Sequence, residues 1–133
     1  MHAMTPRVLI VDDDPHARAL CSINLLLEGL DVIEAEDGLR GLDQARLTRP
    51  DLVVTDIAMP GLDGFELAEA LRGDEDTAQI PFIFLSGELD AHNAARAESL
   101  GALAYVTKPF DPRSFAKLVS EALARFGPRE RDV

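Results

Sequence analysis

The stretch Val8-Leu9-Ile10-Val11-Asp12-Asp13-Asp14-Pro15 (VLIVDDDP) drives four branched apolar residues straight into three carboxylates. A segment that is apolar at every position has no solvent face. It reads as a strand, Arg7 to Val11, buried on both sides as in a parallel sheet covered by helices. Like charges at its end repel one another, so their placement asks for a bound cation. Pro15 suits the first turn of a helix and Asp14 its cap. That helix is expected to run to about Glu28 and to stop at Gly29.

Outward from this stretch the same alternation repeats. Val32-Ile33 marks a second strand, and Asp37 to about Arg46 a short helix with Leu39 and Leu42 turned inward. Leu52-Val53-Val54-Thr55 is a third strand, followed by a helix from Phe65 to Arg72. Ile80 to Leu85 is a fourth strand, with Pro81 tolerable near its start. Ala91 to Leu100 is a helix ended by Gly101, and Ala104 to Thr107 a fifth strand. In the last helix, capped by Asp111 and opened by Pro112, Phe115, Leu118, Val119, Ala122, Leu123 and Phe126 form one apolar stripe. Five strands alternating with five helices imply an α/β fold, a parallel sheet with right-handed crossovers and helices on both faces.

The chain of 133 residues suffices for one domain and one core. It carries 24 acidic against 13 basic residues, a formal net charge of −11, which argues against a nucleic-acid-binding surface in this segment. No apolar run approaches the roughly 20 residues of a membrane span. No signal peptide is legible, and the single Cys21 suits a reducing compartment, so the expected location is cytoplasmic and not membrane-bound. Cys21 reads as small core filling. His2, His16 and His92 have no ligand spacing.

In open parallel sheets, ligands bind beyond the carboxyl ends of the strands. Asp12 and Asp13 follow the first strand, Asp56 the third, Ser86 the fourth, and Lys108-Pro109 the fifth. If the first and third strands are neighbours, three carboxylates, a hydroxyl and an ammonium converge. An all-oxygen cluster favours a hard cation such as Mg²⁺. A lysine opposite the acids neutralises phosphate charge, and an aspartate can itself be a phosphoryl acceptor. The set is suited to in-line phosphoryl transfer onto a carboxylate.

These residues resemble the receiver domain of two-component response regulators, of the chemotaxis-regulator type. VLIVDDDP corresponds to its first strand and acidic pair, DLVVTDIAMPGLDG (Asp51 to Gly64) to its phosphoacceptor strand and loop, FIFLSG (Phe82 to Gly87) to its switch-hydroxyl strand, and GALAYVTKPF (Gly101 to Phe110) to its fifth strand. The resemblance implies a flavodoxin-like (βα)5 fold with strand order 2-1-3-4-5. It implies Asp56 as the phosphorylated residue. Asp13, Asp56 and the backbone carbonyl of Ala58 would hold Mg²⁺ directly, and Asp12 through a water. Lys108 would meet the phosphoryl group, aimed by a cis bond to Pro109. Ser86 would turn inward, and Tyr105 would be the aromatic switch. The implied donor is a sensor histidine kinase or phosphotransfer protein, and the changed surface is that of the fourth helix, fifth strand and fifth helix. A phosphorylation-dependent homodimer through the fourth and fifth helices is a further expectation; the downstream effector is not named by these residues. The receiver would span residues 7–126, with 1–6 an N-terminal extension, in part with the look of an expression scar, and 127–133 a polar tail or the start of a linker.

Blander readings stand beside these. Asp12 to Asp14 also suit a solvated turn, and for Asp14 the cap is the better reading. Alone, Lys108 is a surface lysine, Ser86 a turn residue and Tyr105 a core ring. Two other functions compete. A hydrolase of the haloacid-dehalogenase type would carry a second aspartate two residues after its nucleophile, where this chain has Ala58. A flavin binder would place a hydroxyl- and glycine-rich loop after the first strand, where this chain has acids. The expected domain is therefore a phosphoacceptor with no turnover of external substrates.

Overall fold

The computed structural model describes residues 5–87 and 90–126, so most of the N-terminal extension and all of the expected tail lie outside it, as does the side chain of Phe126. The elements alternate as β1 (Arg7–Val11), α1 (Pro15–Leu27), β2 (Asp31–Ala35), α2 (Gly38–Thr48), β3 (Leu52–Asp56), α3 (Gly64–Arg72), β4 (Phe82–Ser86), α4 (Ala91–Ser99), β5 (Ala104–Thr107) and α5 (Pro112–Phe126). All pairings are parallel, in the order β2-β1-β3-β4-β5. The parallel sheet expected from the strand pattern, and the flavodoxin-like order that the resemblance implies, are therefore present.

Two cores form because each central strand sends alternate residues to opposite faces. Leu9, Val11, Val53, Phe82 and Phe84 meet Ala45 of α2, Phe65, Leu67 and Leu71 of α3, and Ala97 of α4. Val8, Ile10, Leu52, Val54, Ile83 and Leu85 meet Cys21 and Leu25 of α1 and Phe115, Val119 and Leu123 of α5. Burial, with Asp12 adding to it, pushes the Cys21 thiol up to about 11, so it packs as a neutral group. Among the described residues, no helix is long and apolar enough to cross a membrane.

Three local expectations are corrected. Leu39 points outward, 64% exposed, while Gly38, Gly41 and Ala45 are the buried residues of α2. The reason is space: a Cβ on Gly41 would stand 2.9 Å from a methyl of Val11, so only glycine fits where α2 comes closest to the sheet, while Leu42 packs against the core as a partly buried residue. Leu118 of α5 is 42% exposed, at the margin of the stripe rather than inside it. The fourth strand begins at Phe82, not Ile80. Pro81 has no amide hydrogen to give a ladder, and Ile80 closes a turn through its amide to the Thr77 carbonyl at 3.1 Å. The Pro81 carbonyl still accepts from the Val53 amide at 3.0 Å.

The helices are not held equally. α3 opens with a reciprocal capping box between Asp63 and Glu66 and buries Gly64, Phe65, Leu67, Ala68 and Leu71. The Phe65 ring meets Phe84 edge-on with centroids 4.9 Å apart. α4 buries Ala97 alone. Arg96 adds to this hold: it forms an ion pair with Glu69 of α3 and lays its guanidinium 4.5 Å from the Phe65 ring centroid. Exposed ion pairs contribute about 0–1 kcal/mol and exposed cation–π contacts about 0.5–1 kcal/mol.

Gly64 couples this packing to the third strand. A Cβ there would lie 2.3 Å from the Asp56 carbonyl oxygen and 2.9 Å from the Ile57 Cα. Both neighbours are backbone and cannot step aside cheaply. Gly64→Ala is therefore expected to destabilise the fold by about 1–3 kcal/mol. Gly87→Ala, with no atom of the described residues beyond its chain neighbours within 4 Å of the new methyl, is expected to stay within about 0.5 kcal/mol. Urea denaturation of both variants checks the pair; equal midpoints would contradict it.

Candidate functional site

The carboxyl ends of β1, β3, β4 and β5 share one edge of the sheet because these strands are parallel and in register. Val11 stands opposite Thr55, Asp56 opposite Leu85, and Ser86 opposite Thr107. The residues that follow, or end, each strand are thereby set side by side.

Asp12 is 1% exposed and anchored at its backbone. Its amide donates to the Ala35 carbonyl at the end of β2, 3.2 Å away. One carboxylate oxygen accepts from the Asp14 amide at 3.0 Å, and the other accepts from Lys108 Nζ at 3.1 Å. Asp13 faces solvent at the mouth. Asp56 is buried, and its Oδ2 accepts from the same Lys108 Nζ at 3.3 Å. Asp12, Asp13 and Asp56 each offer an oxygen, and these atoms lie within 4.8 Å of one another.

The Lys108 amide donates to the Ser86 carbonyl at 2.6 Å, which holds its backbone beside the end of β4, and the Lys108–Pro109 peptide bond is cis. Ser86 is buried at the end of β4. Tyr105, on β5, is half-buried, stands beside Phe84 in register, and packs against the α3-side core. Ala58 is exposed two residues past Asp56. Asp14 does cap α1, accepting from the His16 amide at 3.0 Å.

Arg18 is a residue that sequence reasoning passed over. Its Nη1 donates to the Asp12 carbonyl at 2.8 Å, and its Nε pairs with Glu34 at 2.9 Å. It thus ties the acidic loop after β1 to the edge strand β2. Its position four residues after Asp14, one turn into the helix, is the only signal that pointed to it.

The electrostatics are those of a crowded acidic cluster with one facing ammonium. Burial lifts the Asp56 carboxyl above its ordinary value; Lys108 opposes the rise, and Asp12 and Asp13 add to it. Burial works against the Lys108 ammonium, yet Asp12 and Asp56 outweigh that, so its pKa lies above the usual lysine value. One ammonium faces three carboxylates, two of them buried. A hard divalent cation fits this donor set: all ligand atoms are oxygens, the charge is in surplus, and Asp13 leaves the mouth open to water.

Comparison with known proteins agrees with the geometry. The family model for the response regulator receiver domain matches residues 8–120. The chain is 42% identical over 120 residues to the DNA-binding dual master transcriptional regulator RpaA of Synechocystis, covering 90% of this chain and 47% of that protein. It is 36% identical over 118 residues to protein PilH of Pseudomonas aeruginosa, covering 89% of this chain and 98% of that protein. Among solved structures, chemotaxis protein CheY4 of Vibrio cholerae superposes with a TM-score of 0.83 at 30% identity, covering 89% of this chain and 98% of CheY4. The chain spans about half the length of RpaA and of the phosphate regulon regulator PhoB of Pseudomonas aeruginosa, at 47% and 55%.

Proposed function

The chain belongs to the response regulator receiver domain family, and from that premise we propose that it is a phosphorylation-dependent signalling switch with Asp56 as acceptor. The observation that carries this is the convergence of Asp12, Asp13 and Asp56 within 4.8 Å, with Lys108 bonded to two of them. A carboxylate oxygen of Asp56 attacks the phosphorus of a phosphohistidine on a histidine kinase or phosphotransfer protein. The phosphorus–nitrogen bond breaks, the imidazole leaves, and an acyl phosphate remains on Asp56.

Asp13, Asp56 and the Ala58 carbonyl would hold Mg²⁺, with Asp12 acting through a water; when bound, the ion neutralises the charge that builds up on the transferring group. Lys108 exchanges its bond to Asp56 for one to a phosphoryl oxygen, and Ser86, at the neighbouring strand end, donates to another. Each exchange removes a contact that holds the resting arrangement. Tyr105 and the face of α4, β5 and α5 then change partner preference, by a population shift of a bistable element. Homodimerisation through that face is one outcome consistent with this reading. The acidic charge keeps this segment itself off DNA, whatever module accompanies it.

The domain is expected to signal rather than to turn over external substrates, since the position two residues past the acceptor, where the hydrolase class carries its carboxylic general acid, is Ala58. Incubation with acetyl phosphate is expected to place one hydroxylamine-labile phosphoryl group on the chain when Mg²⁺ is present, and none when it is chelated. Steady turnover of unrelated phosphate esters would instead favour the hydrolase.

A further inference from the structure

We propose that Arg96 is a tether that sets how readily α4 leaves its resting place, and that it thereby positions the switch on the output side of Ser86. The inference rests on the phosphoacceptor reading for its functional meaning, but the tether itself is a property of the resting fold.

α4 lacks the apolar anchor of its neighbours. Ala97 is its one buried residue, whereas α3 buries five. Leu100, just past its end, adds a partial contact with the core. Against this thin packing, Arg96 makes two contacts of different kinds on α3: a charge pair with Glu69 and a flat contact with the Phe65 ring. Holding a helix this way gives it a low local unfolding free energy, released without disturbing the rest.

The foot of the tether is tied to the site. Phe65, beneath Arg96, meets Phe84 edge-on, and Phe84 lies two residues before Ser86 on the same strand. α4 begins five residues after Ser86. A rearrangement at Ser86 therefore reaches α4 both along the chain and through the Phe84–Phe65–Arg96 stack. Arg96 and Glu69 are both about half exposed, with side chains at 42% and 51%. Their pairing is weak enough for a single phosphoryl group to overcome, which a buried anchor would not be.

Amide hydrogen exchange on the unphosphorylated protein tests the tether directly. Arg96→Ala is expected to speed exchange of the α4 amides about three- to tenfold, while those of α1 and α5 keep their rates. Arg96→Lys keeps the charge and loses the flat group, so it is expected to fall between. Arg40→Ala, which removes an exposed arginine paired with Glu36 and Asp37 on α2, is expected to leave α4 unchanged. With Mg²⁺, the phosphoryl mimic beryllofluoride is expected to bind Arg96→Ala about three- to tenfold more tightly, because less work is spent releasing the helix. A residue with a merely structural role would weaken that binding. Unchanged α4 exchange, or weaker beryllofluoride binding, overturns the tether. If beryllofluoride binds neither protein, the phosphoacceptor reading fails and the exchange rates still decide the tether.

Discussion

Asp56→Asn is expected to abolish phosphoryl uptake from acetyl phosphate, by at least about a hundredfold, as loss of an attacking group does. The amide is nearly the same size as the carboxylate, so the packing around β3 is kept. Its oxygen carries no negative charge and cannot attack phosphorus at a useful rate. The loss is not one of folding, because the same substitution is expected to stabilise the resting protein. The raised pKa of Asp56 means that the folded state holds this proton more tightly than the unfolded chain does. Raising the pH through the folded value therefore costs stability, and at neutral pH the aspartate sits on the penalised side. Asn removes that penalty, so its melting temperature is expected to lie a few degrees above that of the parent at pH 7. The gap closes in acid, below the ordinary aspartate value of about 3.9, where both states of the parent are protonated. Intact-protein mass and a pH series of melting curves check the two halves. A labelled Asn variant would move the acceptor to another residue.

Lys108→Met is expected to have the largest effect on the resting fold of any change at the site. It takes away the one ammonium that serves Asp12, which is 1% exposed, and Asp56. Breaking a buried pair costs about 3–5 kcal/mol, and exposed pairs contribute little. With the lysine side chain 26% exposed, the expected cost is about 1–3 kcal/mol. The raised Lys108 pKa gives the sign of the pH dependence. Its contribution is fully present below the ordinary lysine value of about 10.4 and is lost as pH rises through the folded value, so parent and variant converge in strong alkali. Mg²⁺ is expected to repair much of the damage at neutral pH, since an ion at a hundred times its dissociation constant adds about 2.7 kcal/mol. Urea denaturation with Mg²⁺ and with chelator measures this. Equal stability of variant and parent in chelator would mean that the lysine contacts carry no weight.

The strand ends were legible because this architecture leaves a plain mark. Strands buried on both faces read as unbroken apolar runs, and a polar residue right after such a run is conspicuous. Asp12, Asp13, Asp56, Ser86 and Lys108 all stand at such ends, and the structure brings the four acidic and basic groups among them together. Helix faces were less legible. The outward turn of Leu39 follows from Val11, thirty positions before Gly41 in the chain, whose methyls leave room at position 41 only for glycine. No periodicity within α2 carries that information. Arg18 was barely legible for a related reason: its partners are the Asp12 backbone carbonyl and a glutamate on β2, and neither is a sequence motif.

The alternation of elements and the chemical type of group at each strand end were readable in the amino-acid sequence, because periodicity, caps and turns act over a few residues. That Lys108 serves Asp12 and Asp56, across 96 and 52 positions of chain, and that Arg96 rests on Phe65, emerged only with the packed fold. Those contacts depend on strand order and register, which are set when distant apolar faces are buried together, and local preference has no reach over such distances.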